Sequence, residues 1–217
     1  MKNNDTRERI IQVASLMFFE NGYDNCTLRA IAKECGISHA AIYKYFGNKY
    51  ELASITIKRY LNELVRKTRE FGENEDITSN KDIIAFYWYS HQHFMLTHPN
   101  FFRFYTEFYV KDIEQWENVH MSYRDTILHD VFLMKHFPSL PEYKYDLYAR
   151  LLSAGSIELL YMLKKGKLDL DTAAKLLIEM FGKLSCEEDV LTEKDFEHFK
   201  SLYEKGTDNQ LDIKNII

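Results

Sequence analysis

Apolar residues recur at helical spacing along almost the whole chain. In the first predicted helix, four of them lie on one face at i, i+4, i+7 and i+8: Ile10, Ala14, Met17 and Phe18. The same spacing predicts helices over residues 5–20, 27–34, 38–46, from 48 to a polar stretch at 72–80, and over 81–97, 101–110, 112–136, 142–164, 170–184 and 192–205. We expect residues 207–217 to fray. The predicted fold class is all-α.

The composition agrees with a helical, globular protein. Of 217 residues only 3 are Pro and 8 are Gly, too few turn formers for a sandwich or barrel of many short strands. No run of about 18 uncharged apolar residues predicts a membrane span, and the polar first residues do not resemble a secretory signal. The cysteines Cys26, Cys35 and Cys186 form no zinc-binding spacing and indicate free thiols in a reducing cytoplasm.

Charge is distributed unevenly along the chain. The whole chain carries −5, from 28 basic and 33 acidic residues. Residues 1–70 hold 12 basic and 8 acidic residues, a net +4, so the remainder carries −9. A basic segment in an acidic protein indicates a polyanionic partner such as nucleic acid, although chance clustering gives the same count. On the fourth helix, the basic side chains are expected at the surface: Lys58, Arg59, Arg66, Lys67 and Arg69.

The second and third predicted helices have the composition of a helix-turn-helix. Ala32 is small enough for the two helices to approach closely, and Gly36 can take a positive φ in the turn between them. Because Ile42 is an apolar plug, His39 and Tyr43 share an outward face. A helix of this kind can enter the major groove of DNA, with its N-terminal residues facing base edges.

The run TLRAIAKECGISHAAIYKYFGNKYEL, Thr27 to Leu52, strongly resembles the signature of the tetracycline-repressor (TetR) family of bacterial transcriptional regulators. The residues at the family spacings are Thr27, Ile31, Ala32, Gly36, Tyr43, Phe46, Lys49 and Leu52. The similarity covers about residues 6–60, and beyond residue 70 only length and helicity match. It implies a three-helix DNA-binding domain at 1–50, with its helix-turn-helix at about 27–46, and a helical ligand-binding and dimerisation domain at 51–217.

The resemblance and the chemistry of the residues together predict the DNA-contacting positions: Thr27, Arg29, Ser38, His39, Ala40, Tyr43, Lys44, Tyr45 and Lys49. Thr27 can present a hydroxyl and a helix N-terminus to phosphate. Arg29 suits a bidentate contact to guanine, with a solvated arginine as the alternative. His39 is expected to touch a base or a phosphate, unless it only caps the helix. Tyr43 and Lys49 resemble the family's phosphate-binding residues, and contacts of that kind position the protein without specifying sequence.

Residues 86–109 hold 11 of the 32 aromatic residues. Most of these rings must be core, yet they could also line an apolar cavity, and the resemblance implies a small-molecule pocket in this half. We therefore expect an apolar or aromatic effector, with five residues as guesses for its pocket: Trp88, Phe94, Phe104, Tyr105 and Trp116. His91 and His93 diverge by about 200° on a helix, so no metal site is predicted, and no cofactor.

Two later predicted helices carry small and apolar residues that allow close helix packing. The resemblance implies a dimer built as a four-helix bundle from this pair, and the guesses for its interface are Leu147, Leu151, Ala154, Tyr161, Leu177, Met180 and Phe181. An ordinary core face is the alternative. A two-fold dimer also suits the recognition of a palindromic DNA site.

The sequence contains no nucleophile elbow, phosphate-binding glycine loop or zinc-protease motif, so it predicts that the protein is not an enzyme. The resemblance implies a cytoplasmic repressor, nucleoid-associated when bound to DNA. It would bind a palindromic operator as a homodimer and be released by a small molecule. Two alternatives stay open: control by a protein partner without a small-molecule pocket, or activation of transcription. No membrane partner is expected.

Overall fold

A computed structural model describes residues 2–73, 80–111, 142–185, 192–206 and 209–217. Within these ranges the chain forms helices and no β-strand: α1 (Lys2–Asn21), α2 (Leu28–Glu34), α3 (His39–Ile42), α4 (Lys49–Gly72), α5 (Asn80–Thr97), α6 (Pro99–Lys111), α7 (Glu142–Lys164), α8 (Leu170–Ser185), α9 (Glu193–Lys205) and α10 (Ile213–Ile216). The all-α prediction is confirmed. None of the described helices is long and apolar enough to cross a bilayer. The helix predicted over 112–136 lies outside the described residues, as do Trp116 and Cys186.

The helices form two compact units. The first contains α1, α2, α3, α6, α10 and the part of α4 up to Glu63, and the second contains the rest of α4 with α5, α7, α8 and α9. In the first unit α1 packs against α2 and α6, and in the second α5 packs against α7, α8 and α9. The boundary predicted after residue 50 separates a DNA-binding domain from a ligand-binding domain by function. The division into compact units does not test it, so it stays a prediction.

The core of the first unit is built on the apolar stripe of α1. Ile10, Ala14 and Phe18 are fully buried, as predicted, and Met17 is half-buried. The ring of Phe18 stacks on that of Phe104 from α6, with centroids 4.7 Å apart. Stacked, fully buried rings contribute both apolar burial and a specific ring geometry, so this pair fixes α6 against α1.

α3 ends at Ile42, four residues before the end predicted at residue 46. The N–H of Lys44 donates to the Ala41 carbonyl at 3.2 Å, and that of Tyr45 to the Ile42 carbonyl at 3.0 Å. These i→i+3 bonds tighten the chain into turns after Ile42, and the N–H of Phe46 makes one further α-type bond to the Ile42 carbonyl at 3.0 Å. The helix was predicted to reach residue 46 because Gly47 is the first strong helix breaker in this segment, and that predicted length was wrong.

Lys67 of α4 is buried, with a side chain that is 3% exposed, so its predicted surface position was wrong. It lies three residues after Leu64 and four before Phe71, both buried, and therefore on the core face of the helix. The stem of a lysine can cover apolar surface in this way while its ammonium group finds a carboxylate. Its Nζ lies 3.9 Å from Glu70 Oε2.

The expectation that residues 207–217 fray was also wrong for the part that the structure describes. Asp212 caps α10 by accepting the N–H of Lys214 at 2.9 Å, and Ile216 is fully buried. The error has a physical cause, because the groups that hold this segment lie on α4, about 150 residues earlier in the chain.

Two glycines of the first unit, Gly22 and Gly36, have positive φ, at +76° and +65°. A Cβ added at Gly22 would lie 2.5 Å from Nε of Arg103, whereas one at Gly36 would meet no atom within 4 Å. We expect Gly36→Ala to cost about 1 kcal/mol from backbone strain alone. Gly22→Ala should cost about 1 kcal/mol more, because Arg103 must give up its bond to the Asn21 carbonyl. Urea unfolding of the two variants measures the difference, and equal losses would contradict the Arg103 contact.

Candidate nucleic-acid interface

The turn between α2 and α3 has the geometry of a Schellman helix end. Gly36 takes φ +65°, and its N–H donates to the Lys33 carbonyl at 3.0 Å. The N–H of Ile37 donates to the Ala32 carbonyl, also at 3.0 Å. These two bonds satisfy carbonyls that would otherwise be unpaired at the end of α2. Ala32 and Ile42 are buried as predicted, so the two helices pack closely across the turn.

Arg9 of α1 holds the same turn from the other side. Its Nη2 donates to the carbonyl oxygen of Cys35 at 2.8 Å. This carbonyl lies at the C-terminal end of α2, where unpaired acceptors and the helix dipole favour a cation. The role of Arg9 was not predicted, since the two residues are 26 positions apart and no local pattern links them.

α3, together with its cap and the turn that follows it, presents an exposed polar face. Ser38 caps the helix by accepting the N–H of Ala41 at 3.1 Å. His39 Nε2 and Tyr43 Oη are 3.4 Å apart, and their rings meet edge to face with centroids at 5.2 Å. The Tyr43 side chain is 52% exposed, and the other exposed residues of this face are Ser38, His39, Ala40 and Lys44. This face therefore carries hydrogen-bonding groups directed to solvent, as the predicted outward face requires.

Thr27 and Arg29 add a second exposed group at the start of α2. Thr27 Oγ1 accepts the N–H of Ala30 at 3.1 Å, which makes Thr27 the N-cap, as predicted. A hydroxyl that accepts this bond keeps its own hydrogen to donate to an anion. Both Thr27 and Arg29 are exposed.

Lys49, the first residue of α4, lies against the turn between α1 and α2. Its Nζ donates to the Tyr23 carbonyl at 2.7 Å and lies 3.8 Å from the centroid of the Tyr23 ring. Burial lowers the pKa of Lys49, and the nearby Asp24 carboxylate opposes that effect. The ammonium group is thus half-buried and already engaged within the chain, and its predicted phosphate contact stays a prediction.

Four polar residues of α6 form a clamp on the turn between α1 and α2: Asn100, Arg103, Glu107 and Lys111. Asn100 Nδ2 donates to the Glu20 carbonyl at 2.9 Å, and Glu107 accepts the N–H of Asp24 at 3.1 Å. Lys111 forms an ion pair with the Asp24 carboxylate. This α6 clamp was missed by the sequence analysis because its partners are about 80 residues apart and no local pattern links them.

The residues guessed for an effector pocket do not share one environment. Trp88 is half-buried on α5, and Phe94 of the same helix is buried. Phe104 and Tyr105 of α6 are buried in the first unit, where Phe104 stacks on Phe18. Trp116 lies outside the described residues. A pocket role for any of them stays a prediction.

The residues guessed for a dimer interface fall into two groups. Four lie exposed on α7: Leu147, Leu151, Ala154 and Tyr161. On α8, Leu177 is fully buried within the chain and Met180 is half-buried. The side chain of Phe181 lies outside the described part of the chain. Met180 lies so close to Gly155 that a Cβ there would be 3.0 Å from Met180 Cε, which shows how a small residue lets α7 and α8 approach.

The cysteines of the first unit are packing residues, as predicted. Cys26 and Cys35 are both buried and unbridged. Burial raises the pKa of Cys26 to about 11 and also raises that of Cys35. Because the thiolate is the reactive form, a raised pKa makes a thiol a poor nucleophile. Within the described ranges, no three His, Cys, Asp or Glu side chains are grouped to hold a metal ion.

Comparison with known proteins identifies the segment that carries this interface. Residues 10–54 match the family of bacterial regulatory proteins described as the tetR family. An HTH-type transcriptional regulator of Staphylococcus aureus strain bovine RF122 is 31% identical over 70 residues, which are 32% of this chain and 38% of the relative. A second, from strain USA300, is 30% identical over 80 residues, 37% of this chain and 42% of the relative. The matches thus span about two fifths of these curated relatives.

Solved structures share the fold over most of the chain. A TetR transcriptional regulator from Rhodococcus sp. RHA1 has a TM-score of 0.63 at 14% identity, covering 87% of this chain and 100% of the other. RolR, solved in complex with resorcinol, has a TM-score of 0.63 at 15% identity, covering 91% and 94%. A tetR-family regulator from Streptomyces coelicolor has a TM-score of 0.60 at 15% identity, covering 95% and 92%. At these identities the likeness concerns the fold.

Proposed function

We propose that the chain is a sequence-specific, DNA-binding transcriptional regulator of the tetR family, whose model matches its residues 10–54. The exposed face of α3 carries the proposal. α3 is the second helix of a helix-turn-helix and begins at a capped N-terminus, and this helix and the turn after it present His39, Tyr43 and Lys44 to solvent. A recognition helix needs these properties to place side chains against base edges.

Selection from a random pool of duplex DNA tests this function directly. The purified protein is expected to enrich one palindromic motif, because each protomer of a dimer presents the same α3 face to one half-site. Failure to enrich any motif at low salt would contradict specific DNA binding. Enrichment of a single, non-palindromic half-site would retain DNA binding and contradict the dimer.

His39 is proposed to contact a base, so His39→Ala should change the motif that the protein selects. The expected result is relaxed preference at one position of each half-site, with a loss there of about 1–3 kcal/mol in discrimination. The control is His198→Ala, since His198 is an exposed histidine on α9 of the second unit. An unchanged motif for His39→Ala would remove the base contact from the account.

Lys49 is proposed to contact phosphate, so Lys49→Ala should weaken binding to all DNA sequences alike. Loss of one phosphate contact lowers the slope of log affinity against log salt by about 1, without altering sequence preference. The same variant also removes the bond to the Tyr23 carbonyl. The salt slope therefore separates a phosphate contact from a structural role, because only the former changes it. Lys205→Ala, at an exposed lysine of α9, serves as the control.

A second copy of the chain is proposed to cover the exposed apolar residues of α7. Leu147 is 50% exposed, and Leu151 and Tyr161 are each 42% exposed. Leu151 lies four residues after Leu147 and Tyr161 ten after that, so the three residues lie near one side of the helix. Leu177 has no exposed surface that a partner could contact. Its neighbour Leu176 is 37% exposed and is therefore proposed for the interface instead. An isologous dimer would bury these residues against the same surface of the other protomer.

Control by a small apolar or aromatic effector is proposed for the second half of the chain. α4 contributes residues to both units, so a ligand that shifts α4 would change how the recognition helices are presented. A coupling of about 1–3 kcal/mol would release the operator by about 5- to 150-fold. RolR, similar in fold, was solved with resorcinol, which makes hydroxylated aromatics reasonable first compounds.

The proposed role is repression in the cytoplasm, on the nucleoid, with activation as the alternative. A mobility shift of the selected duplex, run with candidate compounds, tests the mode of control. Release of the duplex by a compound supports the effector, and release only by a purified protein supports control by a protein partner.

A further inference from the structure

The segment Asp212–Ile217, termed here the brace, packs on the middle of α4. Glu63 of α4 is buried, and its two carboxylate oxygens accept hydrogen bonds from the brace. Oε1 accepts the N–H of Asp212 at 3.0 Å, and Oε2 accepts from Asn215 Nδ2 at 3.1 Å. Ile216 is fully buried. A buried carboxylate with both oxygens bonded to one segment fixes that segment in place, because loss of either bond would leave a costly unpaired acceptor.

Arg59, one turn before Glu63, connects the brace to α1 as well. Its Nη1 donates to the main-chain oxygen of Ile217 at 2.5 Å, and its Nη2 donates to Glu8 Oε1, also at 2.5 Å. One guanidinium group thus bridges α1 and the brace from its position on α4. The three segments belong to the same compact unit.

These contacts converge on the two helices that position the helix-turn-helix. α1 packs against α2, and its Arg9 donates a hydrogen bond to the turn between α2 and α3. α4 begins at Lys49, which bonds the turn between α1 and α2. The brace itself lies far along the chain from any predicted DNA-contacting residue.

We propose that the brace is a positioning element for DNA recognition: it fixes α1 against α4, and high operator affinity depends on it although it does not contact DNA. The inference rests on the proposed DNA-binding function. Its physical basis is preorganisation, since a helix-turn-helix held rigid before binding loses less conformational freedom on the operator. Ile216, Glu63 and Arg59 are then positioning residues, acting through α1 and α4.

Ile216→Asp tests the brace most directly, because it places a carboxylate where the side chain is fully buried. We expect affinity for the selected duplex, measured by fluorescence anisotropy, to fall about tenfold or more. The conservative Ile216→Leu should restore binding. Lys214→Ala is the matched control, because Lys214 lies in the same helix and is exposed. Arg59→Met removes both bridging bonds while leaving the buried isoleucine in place, and should cause a smaller loss.

Hydrogen exchange without DNA provides the second measurement. In Ile216→Asp we expect faster amide exchange in α1 and in the first half of α4, with α8 of the second unit unchanged. Wild-type affinity in both Ile216→Asp and Arg59→Met would overturn the proposal, as would faster exchange throughout the chain, which indicates general unfolding. If the wild-type protein selects no DNA, the proposed function fails, whereas exchange in α1 still decides whether the brace holds that helix.

Discussion

Replacing Phe104 with alanine should cost the first unit about 3–5 kcal/mol of unfolding free energy, the range for truncating a fully buried phenylalanine. Phe104 has no exposed surface, and its ring lies parallel to that of Phe18, within 7°. It also contacts Phe101 and Phe108, with ring centroids at 5.5 and 6.2 Å. Rings on both sides prevent the site from collapsing around a small side chain, so a cavity remains.

The same variant should weaken operator binding, because the lost ring is one of the stacked contacts between α6 and α1, the helix that precedes the helix-turn-helix. Urea unfolding measures the stability, and anisotropy with the selected duplex measures the affinity. Phe196→Ala is the matched control, since Phe196 is equally buried but lies on α9 of the second unit. It should cost similar stability and leave operator affinity within about twofold. A loss of affinity as large for Phe196→Ala as for Phe104→Ala would contradict the account.

Acid should destabilise the second unit through His91. Burial lowers the pKa of this imidazole from its ordinary 6.5 to about 4. Between those values the unfolded chain binds a proton that the folded chain excludes, so the free energy of unfolding rises with pH in this window. The stabilisation due to neutral His91 is complete above the pKa that this imidazole has in the unfolded chain. It is lost as the pH falls toward the pKa of His91 in the folded chain. Its full size is about 3 kcal/mol, and roughly 2 kcal/mol should be lost between about pH 7 and pH 5.

Urea unfolding of the wild type and His91→Gln at those two pH values measures this contribution. Glutamine keeps a polar side chain but cannot titrate, so the variant should lose less stability on acidification than the wild type. His198→Gln, at an exposed histidine, controls for the general effect of acid on the protein. If His91→Gln and the wild type lose equal stability between the two pH values, His91 is not the buried titrating group.

Features fixed by neighbouring residues were predicted well. The helix starts at Thr27 and Ser38 were predicted, and each residue caps its helix by accepting an N–H three residues further along the chain. The positive φ of Gly36 was predicted because glycine takes that conformation without a steric penalty. The outward pairing of His39 and Tyr43 follows from helical spacing alone. The candidate DNA-binding face could thus be derived from the sequence.

Features held by distant residues could not be predicted. Arg9 meets Cys35, and the α6 clamp meets the turn between α1 and α2, across 26 to 87 positions of sequence. The end of α3 at Ile42 and the burial of Lys67 depend on how helices pack, which a single-helix pattern does not encode. The brace is the clearest example, because nothing in its short sequence indicates its partners Glu63 and Arg59 on α4.

The orientation of the Lys49 side chain lies between these two cases. Its position at the start of α4 agrees with the helix predicted from residue 48, where Asn48 Oδ1 accepts the N–H of Glu51 at 2.9 Å. Its bond to the Tyr23 carbonyl was not, since that contact depends on where the turn between α1 and α2 is placed. A backbone phosphate would therefore compete with, or share, a lysine that already has a partner.

Native mass spectrometry of the protein with its selected duplex tests the central claim most directly. The account predicts a mass equal to two chains plus one duplex, and two chains in the absence of DNA. Any further non-covalent mass on the DNA-free dimer would give the mass of a bound effector. A single chain on the duplex, or a monomer at micromolar concentration that forms no complex with DNA, would contradict a homodimeric DNA-binding regulator.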